Sequence, residues 1–111
     1  MVWYKKTLFV PYDIEIEKND QMSVDRGHSP WRLDPVFVTQ VFANLLISPD
    51  GIEGEYEIPY ENIKIIINNG IKAIAKIEHE KTIAEYVHLE RVIRQDETGI
   101  WTVIGYDPVK K

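Results

Sequence analysis

One segment of this chain has the pattern of a surface helix. Asp34 is a residue type that accepts hydrogen bonds at a helix start, and Pro35 suits the first helical position. Apolar side chains then recur at helical spacing, at Val38, Val41, Phe42, Leu45 and Leu46. We therefore predict one helix over Pro35–Ile47, with Val38, Val41, Phe42 and Leu45 packed on the rest of the chain.

The residues before this helix are patterned as strand and loop. Over residues 3–17 we predict extended structure, because Ile14 and Ile16 alternate with acidic residues. Pro11 divides that segment or makes it an edge strand. Residues 22–33 have no clear period, and we predict a loop there.

The second half of the chain is rich in β-branched residues. Asn69-Gly70 separates the runs 63–68 and 71–78, which predicts a two-residue hairpin turn with positive φ at both central residues. A short helix over residues 60–67, ended by Gly70, is the competing interpretation. Three consecutive isoleucines argue against it, since β-branched side chains are restricted in helices.

Two further strands are predicted, over residues 82–94 and 100–106, with a turn at 95–99. The order is then a strand, a loop, a helix and about four antiparallel strands. A single amphipathic helix is best placed across the apolar face of a sheet. We therefore expect one α+β domain over residues 1–111, with the helix packed on a curved antiparallel sheet of about four to five strands.

Composition limits the classes of function. The 111 residues have a net charge of −5, spread evenly along the chain, so a basic surface for nucleic acid is not expected. The absence of cysteine excludes thiol catalysis and a disulfide framework. We expect no membrane span and no signal peptide within residues 1–6. Export, if a leader or anchor preceded this sequence, and the cytoplasm otherwise are the two alternatives for its location.

The closing segments carry a family resemblance. Residues 85–91 and 98–106, with Gly99, Trp101 and Val103 in a Gly-x-Trp-x-Val pattern, resemble the last two strands of cystatin-like and nuclear-transport-factor-like domains. Residues 27–35 are similar to a stretch of small uncharacterised bacterial domains, many of them exported. The resemblance covers roughly residues 27–108 and implies a helix held by a curved sheet. Its members include enzymes, binding proteins and scaffolds.

Tyr86, His88 and Glu90 are spaced by two residues, so on a strand they share one face. One hypothesis is proton transfer, with His88 as the base and Glu90 orienting it. The alternative is that these three side chains face solvent or a partner while Val87 and Leu89 face the helix.

A second candidate lies in the loop before the helix, where His28, Trp31 and Arg32 could bind a ligand. The alternative there is a structural role in closing one end of the core. Glutamates alternate at 53, 55 and 57, which we interpret as a solvated edge rather than a calcium site. The sequence predicts no metal site, cofactor or catalytic motif.

Two hypotheses for the function follow. The first is a non-catalytic protein-interaction or dimerisation module, whose partner is another protein or a second copy, with Trp101 and Tyr86 in the contact surface. The second is a small-molecule binder or proton-transfer enzyme with a pocket on the sheet face. Pocket geometry around His88 distinguishes the two.

Overall fold

The sequence folds into an α+β domain in which two helices pack against a five-stranded antiparallel sheet that is not closed into a barrel. A computed structural model describes residues 7–110. The helices are α1 (Ile14–Asp25) and α2 (Pro35–Ile47). The strands are β1 (Leu8–Phe9), β2 (Ile63–Asn68), β3 (Lys72–Ile77), β4 (Ala84–Glu90) and β5 (Thr102–Pro108). Short 3-10 helices lie at Pro30–Leu33 and Tyr60–Asn62.

The sheet has the order β1-β5-β4-β3-β2, so the last four strands form a meander and β1 pairs with β5. The described part of residues 3–17, from residue 7 onward, has only these two strand residues, and residues 3–6 lie outside the described range. A side chain at Gly105 would contact Thr7 and the Leu8 carbonyl oxygen at 3.0 and 3.1 Å. Glycine therefore lets β1 approach β5 closely.

Helix α2 has the predicted bounds and the predicted cap. The Asp34 carboxylate accepts the Val36 N–H at 2.9 Å, and Pro35 occupies the first turn. The face that α2 buries differs from the predicted one, however. The buried side chains on the helix are Val38, Thr39, Gln40, Ala43 and Asn44. Of the expected face only Val38 is buried, while Leu45 is 39% exposed.

Helix α1 replaces the strand predicted through Ile14 and Ile16. The Asp13 side chain caps its first turn by accepting the N–H groups of Glu15 and Ile16, and acidic residues near a helix N-terminus are favourable. Ile14 and Ile16 are 42% and 56% exposed, so their alternation does not reflect burial. Local capping thus decides the structure of this segment.

The Asn69-Gly70 hairpin is present, but its turn is shifted by one residue. Asn69 N–H donates to the Lys72 carbonyl at 3.1 Å, which places Gly70 and Ile71 at the centre. Gly70 has φ of 91°, whereas Asn69 is not among the positive-φ residues. A positive φ at the first central residue alone is the type II′ feature, so the predicted type I′ turn is wrong. The strands predicted at 82–94 and 100–106 are β4 and β5, with shorter or shifted bounds.

The hydrophobic core lies between α2 and the inner face of the sheet. Ala73, Ala75, Val87 and Leu89 are at most 1% exposed there. Small alanines on β3 let α2 approach the strands, and the Phe42 and Tyr106 rings meet at 5.6 Å between centroids. Polar contacts fix the long connection after α2, because buried Asn44 bonds to both backbone groups of Ile58. The outer face of the sheet carries a second, separate set of side chains.

Candidate functional site

The face of α2 that carries Val41, Phe42 and Leu45 is only partly covered by the core, and it lines a groove. The 3-10 turn brings Trp31 to one side of this groove, the segment before α1 brings Tyr12, and the start of β5 forms its floor. We call it the α2 groove and define it by its apolar lining: Tyr12, Trp31, Val41, Phe42, Leu45 and Trp101. Its volume is about 340 Å³, at the lower end of the usual range for ligand pockets, roughly 300–1,000 Å³.

A polar cluster lies at the α1 end of this groove. Arg32 donates from Nη1 to Asp20 and from Nη2 to Glu17, both at 2.7 Å. Nη2 also donates to the Trp101 carbonyl at 3.0 Å, and Thr102 Oγ1 donates to the same Glu17 oxygen. The Arg32 and Glu17 side chains are 11% and 10% exposed, so this ion pair is largely removed from water.

Arg32 Nε is buried and has no hydrogen-bond partner among the described residues. A buried N–H without a partner is uncommon and costs free energy. Both Nη atoms are bonded, to two carboxylates of α1 and to the carbonyl of Trp101 just before β5. Arg32 therefore holds α1 against the sheet and also supplies the groove's cationic side chain.

The predicted loop residues separate in the structure. Trp31 and Arg32 both line the α2 groove, but His28 is exposed in the turn after α1 and is not part of its lining. Trp101, expected in a contact surface, is 1% exposed and forms part of the groove floor. The groove thus combines Trp31, Arg32 and Trp101, which the sequence placed in different candidate sites.

The strand residues Tyr86, His88 and Glu90 do share the outer face of the sheet, as expected from their spacing. The carboxylate beside His88 is Asp107 of β5, not Glu90: His88 Nε2 lies 3.2 Å from Asp107 Oδ1. Glu90 instead lies 3.9 Å from the Lys72 ammonium. The role assigned to Glu90, orienting His88, is therefore wrong in this geometry.

The surroundings of His88 are open and partly apolar. Thr7 Oγ1 donates to the same Asp107 oxygen at 2.5 Å, so two groups hold this carboxylate. A carboxylate only accepts hydrogen bonds, so the His88 tautomer that fits this contact carries its proton on Nε2. A hollow of about 280 Å³ adjoins the pair and is lined by Ile66, Ile74, Tyr86, His88 and Asp107.

Two polar contacts outside the groove shift pKa values. The Arg94 guanidinium bonds both Asp25 oxygens at 2.8 Å and lowers the pKa of that carboxyl below its ordinary value. The Asp34 carboxylate accepts the Tyr60 hydroxyl at 2.6 Å and raises the pKa of the phenol. Both contacts join distant segments, so each has a structural explanation.

The acidic segment after α2 lines a third hollow. Glu53, Glu55 and Glu57 border it, and Glu57 pairs with Lys81 at 3.0 Å. Within residues 7–110 no group of three histidine, aspartate or glutamate side chains is arranged to hold a metal ion. The same range contains no helix of the length and apolarity needed to cross a membrane.

Sequence reasoning missed Glu17, Asp20 and Asp107 as site residues. Glu17 and Gln21 are four residues apart on α1, a spacing that would have indicated a shared polar face had the helix been recognised. Asp107 directly follows the strand predicted over residues 100–106, and its sequence position alone does not indicate a contact with His88. Its place beside His88 depends on the register between β4 and β5, which includes an irregularity at His88/Leu89.

The chain was also compared with known proteins. No model of a protein family, no curated protein and no solved structure matches this chain.

Proposed function

We propose that this chain is a non-catalytic binding module and that a segment of a partner protein binds in the α2 groove. The observation that carries this proposal is the uncovered stripe of α2, where Leu45 remains 39% exposed beside aromatic walls. Apolar side chains grouped at one surface mark an interaction site more often than scattered ones do. Aromatic residues such as Trp31 and Tyr12 supply much of the binding energy at such surfaces.

The groove suits an amphipathic helix as its occupant. Val38, Val41, Phe42 and Leu45 follow one another along about two turns of α2, a length of roughly 10 Å. A second helix laid beside such a stripe places its own apolar residues at the same spacing. Trp101 and Thr102 lie buried beneath the groove, so they support its partly exposed walls rather than contact the bound segment.

A synthetic peptide tests the proposal. The probe is a helical peptide of about 16 residues with leucines on one face and glutamines on the other. We expect the amide signals of α2 and of residues 101–103 to shift on titration. Leu45→Asp should weaken binding about tenfold or more, because the new carboxylate is left without a partner in an apolar contact.

The matched control is Ile67→Asp. Ile67 is 54% exposed on β2, away from the groove, so this change adds the same charge to a similar apolar side chain. We expect it to leave the affinity unchanged. Equal weakening by both substitutions, or amide shifts confined to the outer face of the sheet, would contradict binding in the α2 groove.

We also propose that the chain is related to the cystatin-like and nuclear-transport-factor-like domains, and to small bacterial domains among them. The layout supports this relation, because α2 packs across an antiparallel meander and the pattern Gly99-x-Trp101-x-Val103 leads into its last strand, β5. The supporting evidence is the arrangement of elements together with this short pattern. The proposed binding activity does not depend on the relation.

Proton transfer at His88 is a second candidate function. The observation that favours it is the 3.2 Å contact between His88 and Asp107 beside a partly apolar hollow. Ring opening of 5-nitrobenzisoxazole provides a test, because its slow step is the abstraction of a carbon-bound proton by a base. If His88 is the base, His88→Gln removes most of this activity while His28→Gln and His79→Gln do not. Equal losses from all three substitutions would exclude this function.

A further inference from the structure

We infer that the segment bound in the α2 groove is a cationic amphipathic helix of a partner protein. This inference rests on the proposed function and adds the chemistry of the partner. Two carboxylates, Glu17 and Asp20, share one guanidinium at the α1 end of the groove. Glu17 and Arg32 line the groove itself, and Asp20 lines the adjoining hollow, which also contains Trp31 and Arg32. One guanidinium and two carboxylates give this cluster a net charge of about −1 at neutral pH.

An anionic occupant fits this cluster poorly. Both Nη atoms of Arg32 already donate to Glu17, Asp20 and the Trp101 carbonyl. A ligand carboxylate would have to displace one of these acids or add a further negative charge beside them. Like charges brought together in a partly buried site repel strongly.

A cationic occupant can reach one carboxylate of the cluster from solvent. The Asp20 side chain is 43% exposed while bonded to Arg32, so an ammonium or guanidinium can approach it from solvent. A positive group there would bring the cluster to neutrality. It would also lie near the Trp31 ring, and aromatic faces attract cations.

The end of the groove at the C-terminus of α2 is also negatively polarised. Helix α2 ends at Ile47, close to Leu45, and its last turn contains no basic residue. A helix C-terminus carries a partial negative charge from its unpaired carbonyl groups. Both ends of the groove therefore favour a positively charged partner, and the apolar stripe between them favours a helix with one leucine-rich face.

Peptides that differ only in charge test the inference. They share one leucine face and a length of about 16 residues, and the polar face carries lysine, glutamine or glutamate. We expect the lysine peptide to bind at least about ten times more tightly than the glutamate peptide. Raising the sodium chloride concentration from about 50 to 300 mM should weaken the binding of the lysine peptide. The affinity of the glutamine peptide should stay nearly unchanged.

The substitution Asp20→Asn tests whether the preference for a positively charged peptide arises at this cluster. Asparagine can still accept a hydrogen bond from Arg32, so the fold should be kept, which thermal unfolding checks. We expect roughly three- to tenfold weaker binding of the lysine peptide and no change for the glutamine peptide. The control is Glu80→Gln, an exposed acid in the β3–β4 turn at the far end of the strands, which should have no effect.

The outcomes separate the two proposals. If all the peptides bind with equal affinity and Leu45→Asp still weakens the binding of each, the charge inference is overturned and binding in the α2 groove stands. Preference for the glutamate peptide, or equal effects of Asp20→Asn and Glu80→Gln, would also overturn the charge inference. If no peptide shifts the signals of α2, the proposed function itself fails.

Discussion

The Asn44 side chain makes the two backbone hydrogen bonds with Ile58 that a neighbouring strand would otherwise make. Its side-chain oxygen accepts the Ile58 N–H at 2.9 Å, and its amide donates to the Ile58 carbonyl at 3.1 Å. Gln40, one turn earlier on α2, donates to the same carbonyl at 3.2 Å. Asn44 and Ile58 are at most 2% exposed, so these backbone groups have no access to solvent as an alternative. Two amides inside the helix therefore fix the loop that closes this end of the core.

The first prediction concerns this contact. Asn44→Ala leaves the Ile58 N–H buried without an acceptor, and we expect the free energy of unfolding to fall by about 1–3 kcal/mol. Urea unfolding measures the loss. Asn19→Ala, an exposed change on α1, is the control and should cost nothing, because alanine is the better helix former. Similar losses from both substitutions would contradict a specific role for Asn44.

The same residues show why the buried face of α2 could not be predicted. Periodicity assigns apolar residues to the core, so the prediction placed Val41, Phe42 and Leu45 inside, and it gave no role to Gln40 or Asn44. The structure buries the amides because Ile58 supplies both a donor and an acceptor. That partner is 14 residues away in sequence from Asn44, and its position is set by the path of the loop.

At the level of elements, α1 is attached to the body mainly through polar side chains. Glu17 and Gln21 are its buried residues, and Gln21 bonds the Ile100 N–H and the Thr98 carbonyl, both at 2.9 Å. Asp25 closes the last turn onto Arg94. The helix has no buried apolar side chain. Its docking therefore depends on the ionisation of carboxylates.

The second prediction is a pH dependence of this docking. Arg94 lowers the pKa of Asp25 in the folded chain, so the contact stabilises α1 above the unfolded value and is lost as the pH falls through the folded one. We expect the helical carbon chemical shifts of residues 22–25 to decrease below about pH 4. Asp25→Asn should reduce the same shifts already at neutral pH.

Arg94→Gln and Lys18→Gln complete that experiment. Arg94→Gln removes the partner and should reproduce the effect of Asp25→Asn, whereas exposed Lys18, 3.9 Å from Glu15, should matter little. Identical helical shifts in Asp25→Asn and the unchanged chain at neutral pH would show that this ion pair does not hold the last turn.

The elements differ in how far sequence determines them. The cap at Asp34-Pro35 and the hairpin around Gly70 are local signals: α2 has its predicted bounds, and the hairpin forms with its turn shifted by one residue. The alternation of Ile14 and Ile16 with acidic residues predicts a strand, whereas in the structure the Asp13 cap begins helix α1 there. The α2 groove could not be derived at all, since it needs the 3-10 turn, α2 and the start of β5 to meet in space.

At the scale of the whole molecule, charge bears on self-association. The chain carries a net charge of −5, and the α2 groove is itself acidic at one end. Two copies meeting through this groove would bring like charges together.

The third prediction is therefore a monomer in dilute solution. We expect light scattering to give a mass near 13.0 kDa, unchanged by Leu45→Asp. A mass twice as large that Leu45→Asp returns to the monomer value would instead identify a second copy as the occupant of the groove. If the mass is doubled and Leu45→Asp does not change it, the dimer contact lies elsewhere on the surface.

The pairing of β1 with β5 has a consequence for the order of folding. Thr7 and Asp107 bond across a separation of 100 residues, and Gly105 makes room for the approach. Closing so long a loop costs chain entropy, whereas the hairpins of β2 to β5 close over short distances. The edge strand therefore docks after the meander has formed. During synthesis β1 must wait until β5, the last of the five described strands, has been made.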